Sequence, residues 1–306
     1  MSKFIYSYLD IEEEEFVNID LLIYQDIKVF LDPFKIANLD ESSSLHQYKF
    51  IETTEAYFNK VVTLLKEDNL TIEQLGKIEE VNELKLGYGE IDRGTAIGTI
   101  LVKNLVKSFN ESKALLTGLL TDLYDTNIFI ENIGNDRVSD WVGRINYLGI
   151  YNYTIDVLRK YPDKFSFKEK EATYYNIETN SWQTKQFNLP TYDGSPFLLV
   201  PIEISTPGKL SLRGYNDFID MGVIELLQKR FRDYPKIKEL STRNADGSIR
   251  KPTKKAIREF LNIDSSNINS LTTTLTLRLN LTNIEEFLND AKETQRNKRM
   301  TKIDKG

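Results

Sequence analysis

A chain with no cysteine and a single histidine, His46, among its 306 residues has to hold its fold together without disulfides or thiolate zinc. Its stability must then come from a hydrophobic core. Hydrophobic residues make up 40% of the chain and aromatics 11%, which is ample for one large or two ordinary domains. The same composition narrows the chemistry. Cys nucleophiles, thiolate metal sites and two-His metal sites within one chain are excluded, so acid–base work falls to carboxylates, Lys, Arg or Tyr. An absence of cysteine also fits a reducing compartment, and the expected location is the cytoplasm. At the start of the chain, Phe4, Ile5 and Tyr6 run into the acidic series Glu12 to Glu15, the wrong order for a signal peptide. No window approaches the roughly 20 apolar residues of a membrane span, so no membrane association is expected.

Hydrophobic spacing predicts an α+β (or α/β) fold: a mixed sheet with a central β-meander packed by helices, and a helical, basic C-terminal region. The chain reads as a single globular unit over 1–306, with 236–306 a candidate C-terminal subdomain. Residues 21–31 read as a strand stopped by Asp32-Pro33. Ser42 to Ser44 offer N-caps for a long helix whose buried face includes Leu45, Tyr57, Phe58, Val61 and Leu65. His46 lies near its start, as a cap or packed side chain. Thr71 and Gln74 have the spacing of a capping box. A glycine-rich loop, 87–98, precedes a helix over 95–109. Residues 126–133 are β-like, and a helix is predicted from Asp136 or Arg137 to Tyr161, ended by Pro162. Residues 172–178 and 182–188 form a hairpin, with 197–204 as a third strand. Helices are expected at 215–234 and 253–261, a strand where Leu275, Leu277, Leu279 and Leu281 alternate, and a last helix from Ile284.

Net charge is −6, but it is distributed unevenly. Residues 229–258 hold eleven Lys/Arg against three Asp/Glu, a local +8 that leaves −14 for the remainder. The tail over 292–305 adds six positive against two negative residues. Local charge sets affinity for a phosphate backbone. Arg250, Lys251, Lys254 and Lys255 are therefore candidates for contacting DNA or RNA, although a solvated Lys-rich surface explains the same run.

The sharpest local pattern is Ile133-Gly134-Asn135-Asp136-Arg137-Val138-Ser139-Asp140. On a helix, Asp136 and Asp140 lie one turn apart on one face. Capping by Asp136 and intrahelical pairing with Arg137 and Arg144 would account for these residues structurally. Read chemically, the pair would bind a divalent cation, Mg2+ (or Mn2+), which needs no His or Cys and activates water against a phosphodiester. Glu203 is the candidate third ligand, and Lys209 or Arg213 would stabilise developing negative charge. The candidate catalytic set is thus Asp136, Asp140, Glu203 and Lys209. Asp, Glu and Lys on a strand-rich core loosely resemble the PD-(D/E)xK nuclease type, although Glu203-Ile204-Ser205 lacks a Lys two positions after the acid. The loop over 87–98 lacks both the P-loop and the G-x-G-x-x-G arrangement, but it precedes a helix where an anion would be favoured, with Arg93 assisting. Arg137 joins Arg93 and Arg213 as a phosphate-binding candidate. Trp182, Tyr174 and Tyr175 could stack bases or pack across strands. No G-x-S-x-G presents a serine nucleophile.

Asp32-Pro33-Phe34, Leu86-Gly87-Tyr88-Gly89, the motif at 133–140 and Leu198-Leu199-Val200-Pro201 occur in that order. In this the chain resembles a family of uncharacterised bacterial proteins with D-P-F, L-G-Y, I-G-x-D-x-I-S-D and L-L-x-P-K elements. That family looks associated with mobile elements or phage defence, which implies nucleic acid as a target or a protein partner in a defence complex. Where its pattern has Lys after L-L-x-P, this chain has Ile202 followed by Glu203. The expected function is a metal-dependent nuclease or phosphodiesterase, the alternative a non-catalytic nucleic-acid-binding or adaptor subunit.

Overall fold

The structure, a computed structural model, describes residues 26–67, 69–76, 80–87, 106–107, 109, 114, 118–130, 133–161, 163–212, 214–263 and 268–303. Arg93, Arg213, most of the loop over 87–98 and most of the helix expected over 95–109 lie outside them. The fold is α+β, with small antiparallel sheets packed by helices. The chain divides into two compact units, the first comprising Met1–Lys107, Asp122–Tyr124 and Ile133–Ser211, the second Ser108–Thr121, Asp125–Asn132 and Leu212–Gly306.

In the first unit, strand β1 (Val29–Leu31) leads into helix α1 (Pro33–Ala37), followed by α2 (Phe50–Lys66) and α3 (Ile72–Leu75). Then come α4 (Asn135–Ile145), α5 (Tyr147–Leu158), β2 (Ser166–Asn176), β3 (Ser181–Tyr192), β4 (Ser195–Pro196) and β5 (Ser205–Pro207). β2, β3 and β4 form one antiparallel sheet, and β1 pairs antiparallel with β5. The Asp32-Pro33 stop works as expected. One Asp32 carboxylate oxygen accepts from Phe34 N at 3.0 Å, capping α1, and the other accepts from Thr206 Oγ1 at 2.8 Å and Ser211 N at 2.6 Å. A single buried acid thus ties β1, α1 and the chain after β5 together.

Ser43 caps a 3-10 turn over Ser44–Tyr48, Lys49 adopts a left-handed conformation at φ 57°, and only then does α2 begin. The Nε2 of His46 meets Asp40 O at 2.9 Å, a local contact. α2 buries Phe50, Thr54, Tyr57, Phe58, Val61 and Leu65, the three-to-four spacing of an amphipathic face. Tyr57, Trp141, Tyr175 and Trp182 meet edge to face at 5.1–5.9 Å between ring centres. Their polar edges are satisfied: Trp141 Nε1 donates to Tyr57 OH, Tyr57 OH to Leu75 O and Trp182 Nε1 to Gln74 O. Gly76, at φ 83°, lies so close to the Trp182 ring that a Cβ there would sit 2.2 Å from it. Tyr57, Trp141 and Tyr175 are core residues and Trp182 is half-buried, so these aromatics pack on one another.

The helix expected over 136–161 is two helices. Asn146, 2% exposed, breaks it by turning its amide to Thr54 Oγ1 (2.9 Å) and Val142 O (3.2 Å). The third strand expected over 197–204 is absent: Leu198 N donates to Glu83 O and Leu199 N to Thr154 Oγ1, and after Pro201 the segment Ile202–Ile204 is a 3-10 turn.

The second unit includes a one-turn helix, Thr126–Phe129, where a β-like segment was expected. It continues through α6 (Tyr215–Phe218), a π-helical turn (Ile219–Val223), α7 (Ile224–Lys229), α8 (Pro235–Lys238), a hairpin of β6 (Thr242–Arg243) and β7 (Ile249–Arg250), α9 (Lys254–Leu261), α10 (Ile268–Leu279) and α11 (Ile284–Ile303). Gly222 in the π turn permits close packing, because a Cβ there would stand 2.7 Å from Ala291 O. A fully buried Asp125 pairs with Lys292 at 2.6 Å, and that ammonium also donates to Thr121 Oγ1 and Leu119 O. The leucine alternation at 275–281 is a helix instead of a strand: Leu271, Leu275 and Leu279 are buried at helical spacing while Leu277 is 72% exposed.

Candidate active site

Just before β1, Ile27 makes a parallel bridge to Leu86. Ile27 N donates to Lys85 O at 2.9 Å and Gly87 N to Ile27 O at 3.0 Å, so Asp26 is held beside the segment 80–87. From the other side α4 packs on β1, and its register is fixed by a buried hydrogen bond from Leu31 N to Ser139 Oγ at 2.9 Å. With Ser139 anchored, Asp136 and Asp140, three residues before and one after, project from the adjoining face. Asp136 lies in the first turn of α4, where the helix dipole favours a carboxylate; the N-cap is Gly134, not Asp136. Its Oδ1 occupies the space beside Gly87: a Cβ there would come within 2.8 Å, and the φ of 130° itself demands glycine.

Four acids therefore act on one another. Burial raises Asp140 most, Asp136, Glu80 and Asp26 raise it further, and Arg144 only partly opposes them, so its pKa stands at about 8. Asp26 is pushed to about 6 by burial and Glu80, with Asp136 adding and Lys85 opposing. Glu80 is raised by burial and Asp136. Lys85, only 4% exposed, is lowered by burial despite the acids around it. Arg144 donates to Glu80 O at 3.0 Å and lies over the Tyr147 ring; an intrahelical pair with Asp140 does not neutralise the acid. Behind the cluster, buried Glu83 takes Lys170 at 2.7 Å and Tyr147 OH at 3.2 Å. The arrangement can hold protons near neutrality or receive a cation in their place.

Of the four residues expected to form the site, Asp136 and Asp140 lie together, and the further acids acting on Asp140 are Glu80 and Asp26. Glu203 sits on the exposed 3-10 turn, where it accepts from Ser43 Oγ at 2.7 Å and faces Lys35, whose ammonium donates to Ser205 O. It is not among the charges acting on Asp140. Lys209 is exposed in the bend after β5 and contributes none either. Glu80 belongs to no motif, and the one signal for Asp26 was a carboxylate inside the apolar run over 21–31. Arg137 is half-buried in the first turn of α4. Among the described residues no group of three or more His, Cys, Asp or Glu is arranged to hold a metal ion, so a cation here would rest on one or two carboxylates and water.

Part of the basic island is compensated within the second unit. Lys254 pairs with Glu225, Lys255 with Glu259 at 3.8 Å, Arg258 with Asp220 and Arg230 with Asp290. Arg250 and Lys251 are exposed at the end of the hairpin. No helix among the described residues is long and apolar enough to cross a membrane.

No curated protein and no solved structure matches the chain. A family model described as a domain of unknown function (DUF8370) matches residues 8–210. That span includes every acid of the cluster and ends one residue before the first unit does. The chain belongs to the DUF8370 family, and the carboxylate cluster lies inside the family's domain.

Proposed function

We propose that the protein is a divalent-cation-dependent nuclease or phosphodiesterase, with Mg2+ (or Mn2+) held by Asp136 and Asp140. The observation that carries this reading is the gathering of Asp26, Glu80, Asp136 and Asp140 on a half-buried face, where burial and the neighbouring acids raise Asp140 to about 8 against the opposing Arg144. Perturbed carboxylates in one place mark functional sites, and a hard cation needs only one or two of them plus water. A bound cation would supply a water of lowered pKa. Asp26, at about 6, is suited to take a proton from it near neutral pH. Nucleic acid is the proposed substrate because the motif order resembles proteins of mobile-element or phage-defence context, and the proposed location is the cytoplasm.

A second reading, a non-catalytic adaptor that binds nucleic acid in a defence complex, rests on the exposed Arg250 and Lys251 of the basic island. The two part in one experiment. Purified protein with Mg2+ or Mn2+ is expected to cleave DNA or RNA, and Asp140→Ala to reduce the rate by about 100-fold or more. Intact nucleic acid with both cations, together with wild-type behaviour of Asp140→Ala in cells, would sink the hydrolase reading.

A further inference from the structure

The β6–β7 hairpin of the second unit stands uncovered: residues 242–251 are all exposed. A lone two-stranded ribbon is marginal in water, yet this one has a well-made turn. Asn244 N donates to Ser248 O at 2.9 Å, Gly247 N to Asn244 O at 3.0 Å and Ser248 N to Asp246 Oδ1 at 2.9 Å, with Gly247 at φ 82°. Register sorts its side chains. Arg243 is directly opposite Ile249, and Thr242 opposite Arg250. Opposed residues share a face, so Arg243, the 43% exposed Ile249 and, two residues on, Lys251 line one side while Arg250 lies on the other. Among the described residues none of Arg243, Arg250 and Lys251 pairs with a carboxylate, in contrast to Lys254, Lys255, Arg258 and Arg230 of the same island. The ribbon thus presents basic charge that no carboxylate among the described residues pairs.

We propose that this hairpin is a DNA-binding arm that lies in the major groove of a B-form duplex, with Arg243, Arg250 and Lys251 on the flanking phosphates and Ile249 against the groove. A major groove of about 12 Å admits a two-stranded ribbon. That of duplex RNA is too narrow to admit it. A lipid surface fits less well, because the ribbon carries one large apolar side chain and its tip bears Asp246. The inference deepens the proposed function by naming duplex DNA, and it depends on that reading only for what happens after binding.

The test uses the full chain in EDTA, so its outcome does not depend on hydrolysis. Wild-type protein is expected to bind fluorescent duplex DNA at low salt more tightly than duplex RNA or anionic vesicles. In the triple variant Arg243→Gln, Arg250→Gln, Lys251→Gln, affinity should fall at least about 10-fold. The log–log salt slope should shrink by about 2.7, at about 0.9 per phosphate contact. Ile249→Ala should weaken binding with the slope unchanged. An unmoved melting temperature checks the fold; if the triple variant melts early, Lys251→Gln alone should still lower the slope by about 0.9. Unchanged affinity and slope in the variants, no DNA binding by the wild type, or a preference for RNA or vesicles would each overturn the proposal.

Discussion

Asp140 is a residue whose stability cost points to a use. Its folded pKa of about 8 lies far above the ordinary carboxylate value, so the folded chain binds the proton more tightly than the unfolded chain. The associated stability is fully present below about pH 4 and is lost as pH rises toward 8. Removing the ionisable group should then stabilise the metal-free protein where the wild type is most strained. Asp140→Asn is expected to raise stability at pH 8 by on the order of 2 kcal/mol and to flatten the decline between pH 5 and 8, measured by urea unfolding across that range. A purely structural, ion-paired Asp140 would give the opposite sign. Asp32 is the contrasting case: buried, and bonded to Phe34 N, Thr206 Oγ1 and Ser211 N. Asp32→Ala orphans the backbone donors of Phe34 and Ser211 and removes the α1 cap, so a loss of roughly 2–4 kcal/mol is expected in the same measurement.

At the scale of elements, the placement of α4 on β1 hangs on the hydroxyl of Ser139. Ser139→Ala leaves the buried Leu31 N–H without its acceptor and should cost about 1–3 kcal/mol in chemical denaturation. How far the elements could be read from sequence followed how locally each is determined. The Thr71–Gln74 capping box, the Asp32-Pro33 stop and the β2–β3 hairpin rest on neighbouring residues, and their chemistry was visible. The cluster was half visible: Asp136 and Asp140 share a helix face, but Asp26 and Glu80 reach them only through the Ile27–Leu86 bridge, a pairing that no local pattern announces. The leucines of α10 misled because helical spacing at 271, 275 and 279 coincides with alternation once Leu277 is counted. Leu277→Glu should therefore change stability by no more than about 0.5 kcal/mol, whereas Leu275→Ala should cost about 2–5 kcal/mol. A strand would have made the two positions equivalent.

Across the whole molecule, the proposed cation would compete with protons for one set of carboxylates. Outside the basic island the chain carries −14, the difference between a total of −6 and the +8 over 229–258. With Asp26 at about 6 and Asp140 at about 8, the cluster sheds protons between pH 6 and 8. A metal that binds the ionised carboxylates must displace those protons, so its apparent affinity rises through this window. Binding to the folded state alone stabilises it by RT ln(1 + [L]/Kd). At a fixed Mg2+ or Mn2+ concentration the rise in melting temperature should then be larger at pH 8 than at pH 6. EDTA should abolish it, Asp140→Asn should sharply reduce it, and calorimetry in buffers of different ionisation enthalpy should register proton release at pH 7. A temperature shift independent of pH, or one that survives Asp140→Asn in full, would place the cation elsewhere and leave the four acids to hold protons alone.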